Sequence, residues 1–522
     1  MREENEMTHA VRGALTRREI VALAGGLAVT GATGLPAWAQ DAARKGGIFK
    51  VAAPANPSSL DPATGGSGAD HTILWTMYDT LVEWDYDTLK PKPGLAKWSY
   101  PDPKTMVLDL EKDVKFHDGT ALDAEAVKFN LDRNRQDPRS NIKADLTSIA
   151  AVEVTGPLQV TLRLKNPDTA LPAILSDRSG MMASPANLKA LGDDTNRKPV
   201  GAGPWKFVSW ADNESVVVTR NDAYWRPGRP YLDGIDIAII PEAATALRSV
   251  VAGERDLAFS LPARLKPVID RAKQLQIVAA PTLYCVQLYF NYARAPLDNV
   301  KVRQAVNFAL DRDAFVKATM GGLGEAATMT LPSSHWAYDK SVSTLYPHDP
   351  DKARKLLADA GFKDGIQLTI GSYNDQDSVQ RSEVLQAQLG QAGIRLAFTR
   401  GTIPEISAQF FATEKKFDML LSAWTGRPDP SMTYALGFDK GAYYNAGREC
   451  DPALSTLIQQ SRESEDLAAR AAVFAKIQRF VMENALSAPI AFQYELDALS
   501  PKAKGYKPDL LGKPKFEHIS LG

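Results

Sequence analysis

The stretch from residue 15 to residue 39 constrains this chain most, because it separates a leader from the part that folds. Arg17 and Arg18 precede a run without charged residues at 20–35, and a small-x-small site ends at Ala39. A basic pair, an apolar core and such a site are typical of a secretory signal, not of a helix in a folded domain. We therefore expect cleavage after Ala39 and folding outside the cytoplasm.

The leader leaves the export route open. The paired Arg17 and Arg18, with an apolar core diluted by glycines, resemble a twin-arginine (Tat) leader, whereas an ordinary Sec signal would hold the pair by chance. No cysteine lies near the end of the apolar core, so no lipid anchor is expected at that point. A cleaved product is retained near its cell by an outer membrane, which favours the periplasm. Beyond the leader no apolar run is long enough to span a bilayer, so we expect no membrane insertion after cleavage.

Length and charge narrow the class of protein further. Residues 40–522 are too many for a single hydrophobic core and indicate two or three domains. The 61 Lys and Arg residues nearly balance the 62 Asp and Glu residues, which argues against a nucleic-acid partner. Cys285 and Cys450 are the only cysteines, and their spacing does not decide whether they pair.

Local patterns predict a mixed α/β class. Asp123 precedes a helical pattern in which Val127 and Leu131 lie on one face. Residues 366–370, 378–392 and 394–398 read as strand, helix and strand, listed here in chain order. A strand–helix–strand unit implies parallel pairing of its two strands.

Motifs for catalysis or metal binding are absent from the sequence. Six histidines are dispersed without an HExxH pair, and neither a GxSxG elbow nor a Walker loop occurs. His117 invites a metal or catalytic role, but Asp118 and Gly119 beside it are better explained by a turn that feeds a helix. We therefore expect no catalytic residues, no metal site and no cofactor.

Four ordered segments resemble the extracellular solute-binding proteins, family 5, of ABC importers, the peptide, opine and nickel class. They are Tyr78-Asp-Thr-Leu81 leading to Pro93-Gly-Leu95; 110–120, which includes Phe116-His-Asp-Gly119, with 123–129; Pro199-Val-Gly-Ala-Gly-Pro-Trp205 with Arg220-Asn221, Tyr224-Trp225 and 230–234; and Val302-Arg-Gln-Ala-Val-Asn-Phe-Ala-Leu-Asp-Arg312. The resemblance runs from about Gly47 to the C-terminus. It is specific for the family and says little about the ligand.

The resemblance implies an α/β, bilobed periplasmic-binding-protein fold that closes by hinge motion about two crossings, near residues 285 and 490. The expected segments are a signal peptide at 1–39, lobe I at 40–77, 199–285 and 490–522, an inserted subdomain of lobe I at 78–198, and lobe II at 286–489.

The stretch 423–431 is expected to face the ligand. Peptide-binding relatives carry an aspartate here that pairs with the ligand's α-ammonium, whereas this chain has Arg427 at the matching position, just after Trp424-Thr-Gly426. Arg427 reverses the charge and favours a carboxylate or phosphate, unless it points to solvent or bridges the lobes. Trp424 is expected as a stacking wall, and Asp429 is an alternative ammonium ligand.

Five further residues complete the expected ligand site. Relatives use a basic residue near Arg381 for ligand carboxylates. Tyr289 and Asn291, on the strand that enters lobe II, are expected at the rim, and Asn56 and Ser58 in the first turn.

The sequence therefore predicts a periplasmic receptor, not an enzyme, that delivers a peptide-sized organic solute to ABC permease subunits. The solute is a short peptide, an opine or another amino-acid conjugate, and Arg427 favours an anionic one. A monomer is expected. The alternatives are a secreted hydrolase on the same scaffold, or a sensor or chaperone without a permease.

Overall fold

The structure is a computed structural model that describes residues 44–65, 68, 70–411, 415–447 and 449–522. The predicted signal peptide at 1–39, with Arg17, Arg18 and the cleavage site at Ala39, lies outside the described residues.

Most strands belong to a seven-stranded sheet and a six-stranded sheet. In spatial order, the seven-stranded sheet contains Gln276–Ala280, Glu495–Leu499, Leu257–Ala258, Ile48–Ala53, Gly234–Ile239, Ser215–Arg220 and Trp205–Ala211. The six-stranded sheet contains Gly324–Ala326, Ser487–Gln493, Cys285–Phe290, Met419–Trp424, Ile366–Tyr373 and Ile394–Gly401.

A four-stranded antiparallel sheet and two short strand pairs complete the β-structure of the described residues. The four-stranded sheet has the order Ala96–Asp102, Thr105–Leu110, Gln159–Leu164 and Ile149–Gly156. The pairs are Val82–Trp84 with Pro91–Pro93 and Ala503–Lys504 with Ser520–Leu521.

The α-helices pack around these sheets. In chain order they are Asp70–Met77, Ala124–Gln136, Leu171–Ile174, Pro185–Leu191, Ala243–Val251, Lys266–Ile269, Val300–Ala309, Arg312–Met320, Pro350–Asp359, Gln376–Gln391, Ile403–Phe411, Pro430–Phe438, Pro452–Gln460 and Leu467–Glu483.

Local chemistry explains where several helices begin. The Asp123 side chain accepts a hydrogen bond from the backbone N–H of Ala126 and caps the helix Ala124–Gln136, as predicted. Ile366–Tyr373 and Ile394–Gly401 pair in parallel around the helix between them, which confirms the predicted strand–helix–strand unit. The predicted mixed α/β class is confirmed.

Each of the three larger sheets lies against its own hydrophobic core. The largest core contains Leu288 of the six-stranded sheet and Phe474 of the helix Leu467–Glu483. A second contains Phe49 and Trp205 of the seven-stranded sheet, and a third contains Leu108 of the four-stranded sheet. The predicted domain boundaries at 77, 198, 285 and 489 stay predictions.

His117 has a structural role in this fold. Its Nε2 lies 3.0 Å from the carbonyl oxygen of Gly203, and its backbone N–H donates to Gly201 at 2.9 Å. The glycine backbone lies so close to Met77 that a Cβ at Gly201 would be 2.1 Å from the Met77 oxygen. Burial lowers the pKa of His117 to about 4, so the ring is neutral at physiological pH.

The two cysteines are free thiols. Cys285 is buried in the six-stranded sheet and Cys450 is half-buried. The question left open by the sequence is thus answered for this structure: the two side chains do not form a disulfide.

Candidate functional site

The chain crosses between the six-stranded and seven-stranded sheets at two adjacent places. Residues 281–284 join the strands Gln276–Ala280 and Cys285–Phe290, and Tyr494 joins Ser487–Gln493 to Glu495–Leu499. The backbone N–H of Gln493 donates to the backbone carbonyl of Tyr284 at 2.9 Å. The Thr282 hydroxyl donates to the backbone carbonyl of Gln493 at 2.6 Å. The crossings therefore form one hydrogen-bonded connection.

A cavity of about 780 Å³ opens beside these crossings. Both crossings contribute to its wall through Thr282, Tyr284 and Tyr494, and the segment that follows the strand Met419–Trp424 contributes Arg427. This volume lies in the range of pockets that enclose small organic ligands. We call this cavity the cleft.

Arg427 reaches the cleft from a short loop between a strand and a helix. Its guanidinium lies 4.7 Å from the centre of the Trp424 ring, and Nη1 donates to the Gly426 carbonyl at 2.8 Å. Among the residues that the structure describes, it has no carboxylate within ion-pair distance. A half-buried guanidinium held on an aromatic ring, with its charge uncompensated at close range, suits a planar anion such as a carboxylate.

Other charges of the cleft form a mixed cluster. Asp177 lies 3.0 Å from His71 Nε2 and 4.0 Å from Lys513 Nζ. Although burial disfavours its charge, His71 and Lys513 hold the pKa of Asp177 well below its usual range. Burial raises the pKa of Asp145 in the same wall, and Arg427 opposes that rise.

The cleft wall holds as many cations as acids, and its three acids are Asp145, Asp177 and Glu495. Arg178, whose Nη1 donates to the Gly65 carbonyl, adds a third cation to Arg427 and Lys513. Asp177 already compensates Lys513, so Arg427 is the cation of this wall best placed to receive a ligand anion.

Trp424 packs against the guanidinium of Arg427. It is 4% exposed, its indole N–H donates to the Thr433 hydroxyl at 3.1 Å, and its ring meets that of Tyr444 edge to face at 5.2 Å. The structure therefore places Tyr444 on the cleft wall, and Trp424 behind it.

Asp429 does not occupy the expected place in the cleft. Its carboxylate is buried, caps the helix Pro430–Phe438 by accepting from the Ser431 N–H, and binds Arg470 Nη2 at 2.8 and 2.9 Å. Its charge is thus satisfied inside the protein in this structure, and a role for Asp429 in binding a ligand ammonium stays a prediction.

Arg381 lies one side chain behind the cleft wall. Its Nη2 donates to the Gln493 Oε1 at 2.5 Å, and Gln493 itself lines the cleft. The structure thus connects Arg381 to the site through Gln493.

Tyr289 and Asn291 are buried away from the cleft. Tyr289 is 7% exposed, packs edge to face on Phe411 at 5.2 Å and borders a separate internal cavity of about 20 Å³. Asn291 is 2% exposed, and its N–H donates to the Asp418 oxygen at 2.9 Å. Both residues are thus buried in this structure, and a role for them at the rim of the ligand site stays a prediction.

Asn56 and Ser58 serve local structure as well. The Asn56 carbonyl accepts from the Trp210 indole at 3.1 Å, and the Ser58 hydroxyl donates to Asp70 at 2.7 Å. Their turn reaches the cleft through Pro54 instead.

Sequence reasoning missed the cleft residues contributed by the two crossings and by the C-terminal segment. These are chiefly Thr282, Tyr284, Gln493, Tyr494, Glu495 and Lys513. They belong to no motif, and only the predicted crossings near 285 and 490 pointed toward them.

Two sheets, a double crossing and a peptide-sized cleft between them define a bilobed solute-binding protein. Residues 90–445 match the bacterial extracellular solute-binding proteins, family 5 (middle region), and the chain belongs to this family. The assignment predicted from the sequence is confirmed, and the family consists of binding proteins.

The curated relatives include glutathione-binding proteins. One from Pectobacterium atrosepticum is 30% identical over 471 residues, which cover 87% of this chain and 90% of the relative. One from Escherichia coli is 29% identical over 470 residues, covering 87% of this chain and 91% of the relative.

Solved structures share the fold. The ABC transporter-associated periplasmic binding protein DppA from Helicobacter pylori, bound to the peptide STSA, has a TM-score of 0.81 at 24% identity, covering 92% of this chain and 98% of that chain. The binding protein AgaA from A. tumefaciens, bound to agropinic acid, has a TM-score of 0.79 at 24% identity, covering 91% and 99%. These likenesses confirm the bilobed fold.

Two findings concern membranes and metals. No helix in the described part of the chain is both long and apolar enough to cross a membrane. Within the same residues, no group of three or more His, Cys, Asp or Glu side chains is arranged to hold a metal ion.

Proposed function

We propose that this protein is the periplasmic receptor of an ABC importer for a small anionic amino-acid conjugate or short peptide, with glutathione as the leading candidate. The observation that most supports this proposal is the position of Arg427 in the wall of a cleft of about 780 Å³. Among the described residues, Arg427 has no carboxylate partner at ion-pair distance.

The geometry of Arg427 supports a carboxylate ligand. Its hydrogen bond to the Gly426 carbonyl and its position over Trp424 restrict the guanidinium before any ligand arrives. Restricting the side chain in advance reduces the entropy lost on binding. The remaining N–H groups form a fork that matches the two oxygens of a carboxylate.

The relatives support the chemical class of the ligand. Glutathione-binding proteins are about as long as this chain and match it across both lobes. Glutathione is a tripeptide whose carboxylates outnumber its ammonium group, so it offers an anion to Arg427, and a cleft of this volume can enclose it.

The leader supports the compartment. Cleavage after Ala39 would release a protein without a lipid anchor, and an outer membrane would keep it near its permease. The paired Arg17 and Arg18 favour export by the Tat route. We propose that the protein works as a monomer that presents its closed, loaded form to the permease.

Isothermal titration of glutathione into the mature protein, stripped of bound solute, tests the proposal. We expect Arg427→Ala to weaken binding about 10- to 100-fold, because a charged hydrogen bond contributes about 1.5–3 kcal/mol. Arg427→Lys keeps the positive charge but loses the forked pair of N–H donors, so its affinity should lie between those of the wild-type protein and Arg427→Ala. The matched control is Arg395→Ala, since Arg395 is exposed on a strand of the six-stranded sheet.

The outcomes separate the parts of the proposal. An unchanged dissociation constant for Arg427→Ala would remove Arg427 from the site. Failure of the wild-type protein to bind glutathione or any member of a panel of short anionic peptides would overturn the proposed ligand class. Mass spectrometry of solute released from protein purified from its own periplasm provides an independent reading.

A further inference from the structure

Glu495 is an acid in the cleft wall whose hydrogen-bond partners are not cations. It begins the strand Glu495–Leu499, directly after the crossing at Tyr494, and lines the cleft. The Ser260 hydroxyl donates to its Oε1 at 2.6 Å. Within the described residues, no lysine, arginine or histidine nitrogen lies within ion-pair distance of this carboxyl.

Two acids and a hydroxyl act on Glu495, while Lys513 and Lys515 act on the neighbouring Asp509. Asp497 lies two residues along the same strand, Asp509 approaches from the C-terminal segment, and Ser260 presents its hydroxyl from a neighbouring segment. Burial and the neighbouring Asp497 raise the pKa of Glu495 well above its usual range.

The other two acids are not available to a ligand. Asp497 is fully buried and accepts from the Ser260 N–H at 3.0 Å and the Tyr506 hydroxyl at 2.5 Å. Asp509 is 3% exposed and accepts from the Leu511 N–H at 2.8 Å. Glu495 is therefore the member of this acidic group that a solute in the cleft can reach.

We propose that Glu495 is the ammonium-binding residue of the cleft and that the solute is recognised by a free amino group as well as by a carboxylate. This inference rests on the proposed function, because it assigns a second contact to the same ligand. An ammonium group at this position supplies the counter-charge that Glu495 lacks at ion-pair distance among the described residues, and accepting it favours the ionised form of Glu495.

An ammonium site at Glu495 also explains why this chain has Arg427 where peptide-binding relatives are expected to have an aspartate. Peptide-binding relatives are expected to hold the ligand ammonium at that loop, where this chain has a cation. Arg427 and Glu495 lie in the wall of the same cleft but on segments from different sheets. A zwitterionic amino-acid conjugate therefore binds with its carboxylate at the loop and its ammonium at the crossing.

A comparison of glutathione with N-acetylglutathione tests the inference by isothermal titration. Acetylation removes the positive charge and keeps the carboxylates. We expect it to weaken binding to the wild-type protein about 10- to 100-fold, which is the range for one charged hydrogen bond. Glu495→Gln should bind glutathione more weakly by a similar factor and should discriminate little between the two forms.

A control and a panel make each outcome decisive. Glu254→Gln, at an exposed turn, should retain the wild-type preference for the free amine. Equal binding of both forms to the wild-type protein, or an undiminished preference in Glu495→Gln, would overturn the role of Glu495 while leaving the proposed function standing. If neither form binds, and a panel of short peptides, each free and N-acetylated, also fails to bind, the proposed function falls and this inference with it.

Discussion

The buried ion pair between Asp429 and Arg470 allows a sharp test of what stabilises the lobe that contains the six-stranded sheet. Arg470 is 4% exposed and Asp429 is 3% exposed. Both carboxylate oxygens bind Arg470 Nη2, and the Arg470 Nε donates to the Ser461 carbonyl at 2.7 Å. We predict that Asp429→Ala is strongly destabilising.

The magnitude follows from two separate losses. Removing one partner of a buried pair leaves the other charge uncompensated, which costs about 3–5 kcal/mol. Asp429 also caps the helix Pro430–Phe438, and loss of an N-cap costs about 1 kcal/mol. Together they lower the free energy of unfolding by roughly 4–6 kcal/mol, a large part of the stability of a typical domain.

Urea unfolding of the mature protein, followed by tryptophan fluorescence, measures the loss. The matched control is Asp466→Ala, because Asp466 caps the helix Leu467–Glu483 from an exposed position by accepting from the Ala468 and Ala469 N–H groups. The control should lose only about 1 kcal/mol. The reasoning is refuted if Asp429→Ala costs no more than the control.

A double variant separates the charge from the cap. Asp429→Asn with Arg470→Met removes both charges and retains a capping side chain, so it should be more stable than Asp429→Ala alone. If it is not, the cost arises from packing around Arg470, which lies over the rings of Trp336 and Phe474, and not from an unpaired charge.

Two further predictions concern the ligand loop and pH. Gly426 has φ +77°, and an added Cβ would lie 2.3 Å from the Leu283 Cβ. Gly426→Ala should therefore displace the loop and weaken ligand binding at least about 10-fold, as measured by titration. The control is Gly437→Ala, which should leave binding unchanged because an added Cβ there meets nothing within 4 Å. Burial lowers the pKa of both His117 and His335 to about 4. Between about pH 6.5 and pH 4 these histidines therefore bind more protons in the unfolded state than in the folded state. As the pH falls through this range, the free energy of unfolding should decrease by up to about 1.4 kcal/mol per pH unit for each histidine. Urea midpoints across that range check this, and a profile that is equally steep in His117→Asn would exclude a contribution from His117.

Features decided by neighbouring residues could be predicted from the sequence. The cap at Asp123 and the parallel unit of Ile366–Tyr373 and Ile394–Gly401 depend on contacts within about one element, so composition and spacing reveal them. Family membership was predictable for another reason, since four ordered segments carry it.

The wall of the cleft could not be read in the same way. Tyr284 and Glu495 are more than 200 residues apart in the chain and meet only because both crossings run side by side, as the hydrogen bond between Gln493 and Tyr284 shows. No local period or motif encodes such a meeting.

Asp429 shows why residue type alone misleads. The position of Asp429, two residues after Arg427, predicts a second charged contact with the ligand. In the structure, however, its carboxylate binds Arg470, which lies 41 residues further along the chain. Only the packing of the helix Leu467–Glu483 against the loop decides which cation it binds.

The position of the two proposed anchors connects binding with closure. Arg427 follows a strand of the six-stranded sheet, whereas Glu495 begins a strand of the seven-stranded sheet. If both anchors act as we propose, a solute that contacts both bridges the two sheets. A solute with one of these groups gains one contact and leaves the other charge of the cleft without a partner, which costs free energy in a partly buried site. On this proposal, discrimination against incomplete ligands follows from the same two contacts that connect the sheets.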